Sequence, residues 1–213
     1  CGTQTAGLAF GGNPYTNLTE EYDGSSWTAG GNLANGRSSL AGFGIQTAGV
    51  AIGGYNATAL TSTEEYGGSS WTAGGNMNTA NYQFAAAGIL TAGLAWAGQN
   101  PTKNQTEAYD GTSWTTVPAT LNTPTFGQTG AGTQTAALSV FGRSPDNTTQ
   151  TELYDGSSWT ISANAATARR GAGGAGTQPA GLGFGGFTTT QVNSTEEFTG
   201  GTSVTTASTL TTS

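Results

Sequence analysis

Apolar positions in this chain fall in short stretches that never hold a helical period. The region from 37 to 72 shows the pattern. Arg37–Phe43 is Arg-Ser-Ser-Leu-Ala-Gly-Phe, Thr47–Gly54 is Thr-Ala-Gly-Val-Ala-Ile-Gly-Gly, Ser62–Tyr66 is Ser-Thr-Glu-Glu-Tyr, and Ser70–Thr72 carries Trp71. None repeats apolar residues at the spacing of an amphipathic helix over ten positions. Between them stand turn formers such as Gly67-Gly68, which reach positive φ at little cost. Four strand-length segments joined by turns predict a four-stranded antiparallel sheet.

The pattern recurs. Thr19–Asn32 reads Thr-Glu-Glu-Tyr-Asp-Gly-Ser-Ser-Trp-Thr-Ala-Gly-Gly-Asn. It returns as Ser62–Asn76 with Tyr66 and Trp71, as Thr106–Thr116 with Tyr109 and Trp114, and as Thr151–Ala163 with Tyr154 and Trp159. In Thr195–Thr206, Phe198 stands for the tyrosine and Val204 for the tryptophan. Positions 27, 71, 114, 159 and 204 are separated by 44, 43, 45 and 45 residues. A fixed period of this size, with aromatic and Gly-Gly marks in each copy, is the signature of propeller blades. Five copies of about 44 residues fill nearly all of the 213. The expected fold is therefore all-β: residues 1–213 form a single five-bladed β-propeller of four-stranded antiparallel blades.

The order of marks, an arginine, an apolar strand ending in Gly-Gly, then Glu-x-Tyr-Asp and Trp, resembles the kelch repeat. Arg37, Gly53-Gly54, Glu65-Tyr66 and Trp71 carry it in one copy, and Gly11-Gly12, Glu21-Tyr22-Asp23 and Trp27 in another. Ala97-Gly98 and Phe141-Gly142 depart from the glycine pair, and Val204 from the tryptophan. The wording Ser-Trp-Thr-Ala-Gly-Gly-Asn followed by Thr-Gln-Thr-Ala-Gly-Leu-Ala-Phe-Gly-Gly is also similar to repeat proteins of marine bacteriophages, often tail or virion components. The kelch resemblance implies that the first segment is innermost and the fourth outermost. Small residues at Ala41-Gly42, Ala85–Gly88, Gly130–Gly132 and Gly171–Gly176 suit backbones that converge at a narrow axis. Outer Tyr and Trp fill the widening wedge, each contributing very roughly 2–3 kcal/mol of apolar burial. The Val204 blade is expected to be the weakest.

Closure of the ring is uneven. Trp27 to Thr47 and Trp71 to Thr91 are each 20 residues, but only 9 follow Val204, and Cys1–Thr5 brings the join to 14. The expectation is that one inner strand is missing and is supplied by upstream residues of a longer protein. The lack of an initial Met points the same way.

Charge and composition narrow the function. The net charge is −7, with Arg37, Lys103, Arg143, Arg169 and Arg170 the only basic residues. That excludes the basic surface needed for nucleic acid and disfavours adhesion to anionic membranes. Eleven of the twelve acids sit in the repeat motif and Asp146 is the twelfth, so the acidity reads as a repeated, solvated feature of the blades. Cys1 is the one cysteine and there is no histidine, which removes intrachain disulfides and Ser–His or Cys–His nucleophiles. Cys1-Gly2-Thr3-Gln4 aligns with Ala131–Gln134, so it reads as part of the fold and not as a lipid-bearing terminus. The apolar run Phe84–Gly98 is too short to span a membrane and reads as two adjacent strands. Gly171–Gly176 matches Gly-x-Gly-x-x-Gly but lacks the strand and helix of a dinucleotide site. Glycosidases need paired carboxylates, and the innermost segments hold none. Without His or further Cys, metal binding loses its usual donors, although Asp23, Asp110 and Asp155 leave calcium open beside the simpler Asp-Gly turn. The chain reads as non-enzymatic, with no cofactor.

Two features remain. Asn17, Asn56, Asn104, Asn147 and Asn193 each begin an Asn-x-Ser/Thr triplet, which would be a glycan acceptor in a secreted eukaryotic protein. The loops after the second segments break the repeat, and they lie on the same face as the starts of the first segments. That face gathers Tyr15, Arg37, Tyr55, Tyr82, Phe126, Arg143, Arg169, Arg170 and Phe187. Aromatics with Arg, Asn and Gln suit sugar rings or a protein epitope, although ordinary turn residues would look the same. The expected role is recognition on a virion or cell surface, as a phage tail or tail-fibre component binding a host glycan or protein beside other virion proteins. The alternatives are a lectin of cellular origin and a structural spacer in a larger assembly.

Overall fold

In the computed structural model, which describes residues 1–200 and the backbone of Ser203–Val204, twenty short strands form five four-stranded antiparallel sheets. Blade 1 holds β1 (Gly2–Thr3), β2 (Ala6–Phe10), β3 (Thr19–Tyr22) and β4 (Trp27–Ala29). Blade 2 holds β5 (Ala41–Ile45), β6 (Ala48–Ile52), β7 (Thr63–Tyr66) and β8 (Trp71–Ala73). Blade 3 holds β9 (Ala85–Ile89), β10 (Ala92–Gly98), β11 (Lys103–Tyr109) and β12 (Trp114–Val117). Blade 4 holds β13 (Thr129–Gly132), β14 (Ala137–Val140), β15 (Thr151–Tyr154) and β16 (Trp159–Ile161). Blade 5 holds β17 (Gly173–Thr177), β18 (Ala180–Phe184), β19 (Thr195–Thr199) and β20 (Ser203–Val204).

Strands follow chain order across every sheet, and β5, β9, β13 and β17 neighbour one another around the axis. The molecule is a five-bladed β-propeller, consistent with a kelch-type repeat fold, and no described residue is helical. One expectation needs correction. The inner strand of blade 1 is short but present: β1 pairs Gly2 with Gly7 and Thr3 with Ala6, and Cys1 exchanges hydrogen bonds with Leu8 at 2.8 and 2.9 Å. The expected weakness of the Val204 blade turns on a side chain outside the described residues.

Blades interlock by placing a large side chain against a glycine of the next blade. A Cβ on Gly42 would strike the ring of Phe10, and one on Gly93 would strike Phe43. The small residues near the axis thus make room for neighbouring rings as well as for backbones. At the two departures from Gly-Gly, Ala97 and Phe141 hold φ of 59° and 66°, a region that side chains occupy at a cost. Phe141 offsets that cost by packing against Gly183 and under Arg169, whose guanidinium carbon lies 4.7 Å from the ring centre.

The outer wedge is sealed by indoles. Trp71, Trp114 and Trp159 donate Nε1–H to the Oγ1 of Thr19, Thr63 and Thr106 in the preceding blade, at 2.9, 2.9 and 3.0 Å. Each also packs on the tyrosine of its own blade, with centroids 4.9–5.1 Å apart. Burial is graded: Trp114 and Trp159 are 6% and 5% exposed, but Trp27 is 51% exposed.

The acids are not uniformly solvated. Glu64, Glu107, Glu152 and Glu196 are all buried. Each carboxylate accepts a backbone N–H from the segment that enters its blade, at Ala34, Asn78, Asn122 and Ala166, over 2.6–2.9 Å. In blades 2 and 5 an arginine completes the site, Arg37 on Glu64 at 2.8 Å and Arg169 on Glu196. In blades 3 and 4 the side-chain amides of Asn78 and Asn122 do so, at 3.2 and 2.8 Å. The reading of these glutamates as solvated fails because their donors lie about thirty residues upstream.

Trp114→Ala should cost about 3–5 kcal/mol and Trp27→Ala no more than about 1 kcal/mol in urea unfolding, since only the first leaves a cavity. Glu64→Gln should cost about 3–5 kcal/mol because Arg37 is left buried without its counter-charge. Glu152→Gln, which strands no arginine, should cost about 1–3 kcal/mol in the same assay. Equal losses at the two glutamates would refute the charge argument.

Candidate ligand-binding face

The pair of positive-φ residues that ends each second strand, Gly-Gly in blades 1, 2 and 5, Ala-Gly in blade 3 and Phe-Gly in blade 4, turns the chain back toward the axis. After Gly53 and Gly54, at φ 55° and 100°, Tyr55 exchanges backbone hydrogen bonds with Ser38 at 2.8 and 3.0 Å. The same bridge joins Tyr82 to Gln99, Phe126 to Arg143 and Arg170 to Phe187. In four blades, therefore, the loop after the second strand is hydrogen-bonded to the approach to the first, and both lie on one face. The backbone frame repeats while its side chains change from Ser and Tyr to Tyr and Gln, Phe and Arg, then Arg and Phe.

The next residue inward builds a rim. Ser39, Gln83, Gly127 and Gly171 share φ of 53–66°. Gln83, Gly127 and Gly171 each donate a backbone N–H to the carbonyl of the counterpart before it, at 2.9, 2.7 and 2.7 Å. Inside the rim lies an axial cavity of about 620 Å³, lined by these residues with Leu40, Phe84, Gln128, Arg170, Phe187 and Gln191 among others. Gln128 is buried and donates Nε2–H to Trp96 O at 3.0 Å.

Around the rim the aromatics are ordered. Tyr15 and Tyr55 have ring centres 6.1 Å apart, and Tyr55 and Tyr82 are 5.1 Å apart, which makes a row across blades 1 to 3. Tyr15 is 44% and Phe187 36% exposed. Arg170 lies over Phe187 at 4.7 Å and donates to Asn147 Oδ1 at 3.0 Å. Arg143 Nε donates to Pro145 O at 2.5 Å. Phe126 is half-buried beneath its bridge to Arg143.

Two residues expected on this face are not there. Arg37 and Arg169 are fully buried in their ion pairs and cannot touch a solvent-borne ligand. Burial pulls the Arg37 guanidinium pKa down, and the Glu64 carboxylate opposes that pull. Conversely, Gln83, Gln191, Asn147 and Asp146 line the face or its clefts and were not singled out for binding. Asp146, the one acid outside the repeat motif, was the available signal.

The remaining chemistry is structural. Asp23 Oδ1 accepts the backbone N–H of Ser25 and Ser26 at 2.8 Å, and Asp110 and Asp155 repeat this, so the Asp-Gly turn is what these residues build. Among the described residues, no group of three or more His, Cys, Asp or Glu is placed to hold a metal ion. The side-chain amides of Asn17 and Asn104 donate to Leu33 O and Leu121 O. That of Asn147 donates to Phe187 O and Thr188 O. These three triplets therefore serve the loops directly.

The turn hydrogen bonds hold the Asp23 and Asp155 carboxyls down to about 2, and lower Asp110 likewise. A folded pKa below the ordinary 3.8 means that the stabilisation is complete above that value and is lost as pH falls toward 2. Melting temperature should therefore fall across that window, and more gently in the Asp23→Asn, Asp110→Asn, Asp155→Asn variant. Parallel pH curves for the two proteins would remove these turns from the acid response.

No protein-family model matches this chain, and no match is found among curated proteins.

Proposed function

We propose that this propeller is a non-enzymatic recognition module on a virion or cell surface, binding a glycan or a protein epitope through its loop face. The observation that carries the reading is the constant bridge frame with changing side chains. Four blades present the same hydrogen-bonded scaffold, and the residues mounted on it differ at nearly every copy. Packing does not require that variety, because the frame closes through backbone groups. Aromatic rings, amides and guanidinium groups gathered round a cavity suit sugars and protein surfaces alike.

The kelch-like order of marks, kept most fully in blades 1 and 2, supports a binding propeller. The likeness of the repeat wording to marine phage proteins supports placement in a phage tail or tail fibre beside other virion proteins. A fold of this kind hosts many roles, so the site carries the argument.

The test is a glycan array that includes bacterial surface polysaccharides, probed with the wild-type chain and with the Tyr15→Ala, Tyr55→Ala, Phe187→Ala variant. Binding by the wild type that the variant loses by about tenfold or more is expected, since each aromatic contact contributes on the order of 1 kcal/mol. Wild-type binding that the variant retains would move recognition off this face. Folded protein that binds no glycan, and copurifies with a particle, would favour a spacer.

A further inference from the structure

Five residues carry positive charge, and the fold encloses three of them. Arg37 and Arg169 are buried on glutamates, and Lys103 is 8% exposed with Nζ on Ala80 O at 2.7 Å. Only Arg143 and Arg170 meet solvent. They come from different blades, the loop between β14 and β15 and the approach to β17, yet they line one cleft of about 640 Å³ with Asp146, Asn147 and Phe187. On a protein of net charge −7, this is a local reversal of sign.

Neither guanidinium is used up. Arg143 spends Nε on Pro145 O, and Arg170 gives one terminal nitrogen to Asn147 while stacking on Phe187. These contacts orient both groups. Neither forms an ion pair with Asp146 or any other carboxylate among the described residues. Among the described residues, the two terminal nitrogens of Arg143, and the second terminal nitrogen and Nε of Arg170, have no hydrogen-bond partner.

We infer that this cleft is a subsite for a carboxylate-bearing sugar of the uronate or sialate class. The inference rests on the loop face being a recognition surface. Planar guanidinium groups with free paired donors match a carboxylate in two-pronged geometry. The exposed part of the Phe187 ring offers an apolar patch to a sugar face. Asp146 on the cleft wall repels any anion, but it can accept hydrogen bonds from the hydroxyls of a sugar acid, a compensation that a bare phosphate or sulfate lacks.

The test is calorimetric titration of the intact chain with short oligogalacturonate and with a sialylated oligosaccharide, each alongside its neutral methyl ester. Binding of the acids but not the esters is expected. Arg143→Gln, which gives up only a contact within its own loop, and the Arg143→Gln, Arg170→Gln pair should each weaken acid binding by about tenfold or more. Asp146→Ala should weaken the sugar acids while strengthening competition by inorganic sulfate. Circular dichroism checks that each variant is folded. No binding of either acid, equal binding of acid and ester, or unchanged affinity in the arginine variants overturns the inference. If neutral glycans still bind, and the three-alanine variant loses them, the recognition face stands without this subsite.

Discussion

A buried carboxylate on the third strand holds each of blades 2 to 5 to the chain segment that enters it. Removing an acid from water is costly unless donors surround it, and the segment supplies them. The two solutions compensate each other. Where the entering segment brings Ala34 or Ala166, an arginine three residues on completes the shell of Glu64 or Glu196. Where it brings Asn78 or Asn122, the amide side chain serves Glu107 or Glu152 and also donates to Trp114 O or Trp159 O. The entering segment leads directly to the rim of the loop face, so this one interaction sets where the face stands.

The second glutamate works between blades by the same logic. Tyr66 and Tyr109 donate their hydroxyls to Glu21 and Glu65 of the preceding blade. Between blades 4 and 5 the acid is replaced by Leu153 and the tyrosine by Phe198, so donor and acceptor are both lost, whereas between blades 3 and 4 Ala108 replaces the acid and Tyr154 keeps its hydroxyl. Blade 1 lies at the margin of this network. Glu20 is exposed where its four counterparts are buried, and Trp27 is the least covered of the four indoles of the repeat motif.

The fold was legible because it rests on local, repeated signals. Strand-length segments, glycine turns and aromatic marks recur at each period, and strand order follows from them. The candidate face was legible in part. Tyr55, Tyr82, Phe126, Arg143, Arg170 and Phe187 lie where the topology places them, because an even number of strands returns a loop to the same side. Arg37 and Arg169 were misplaced because a basic residue near a strand end looks alike on a surface and in an ion pair. Only a glutamate 27 residues away distinguishes the two, and that partnership exists in three dimensions alone. Arg143 and Arg170 were placed on this face but not in one cleft, because 27 residues separate them in the chain.

The division between frame and face explains how one propeller tolerates such varied loops. Carboxylates, indoles and glycines satisfy one another inside the blades and along their edges. The bridge positions are held by main-chain hydrogen bonds, which do not depend on side-chain identity. A residue there can change without leaving a buried group unpaired. The charge follows the same rule: Arg37 and Arg169 are enclosed on glutamates and Lys103 on a backbone carbonyl, and the two left on the surface are held by backbone, amide and aromatic contacts that keep their charge available. A surface built in this way can change its side chains without renegotiating its fold, which is the property expected of loops mounted on a rigid scaffold.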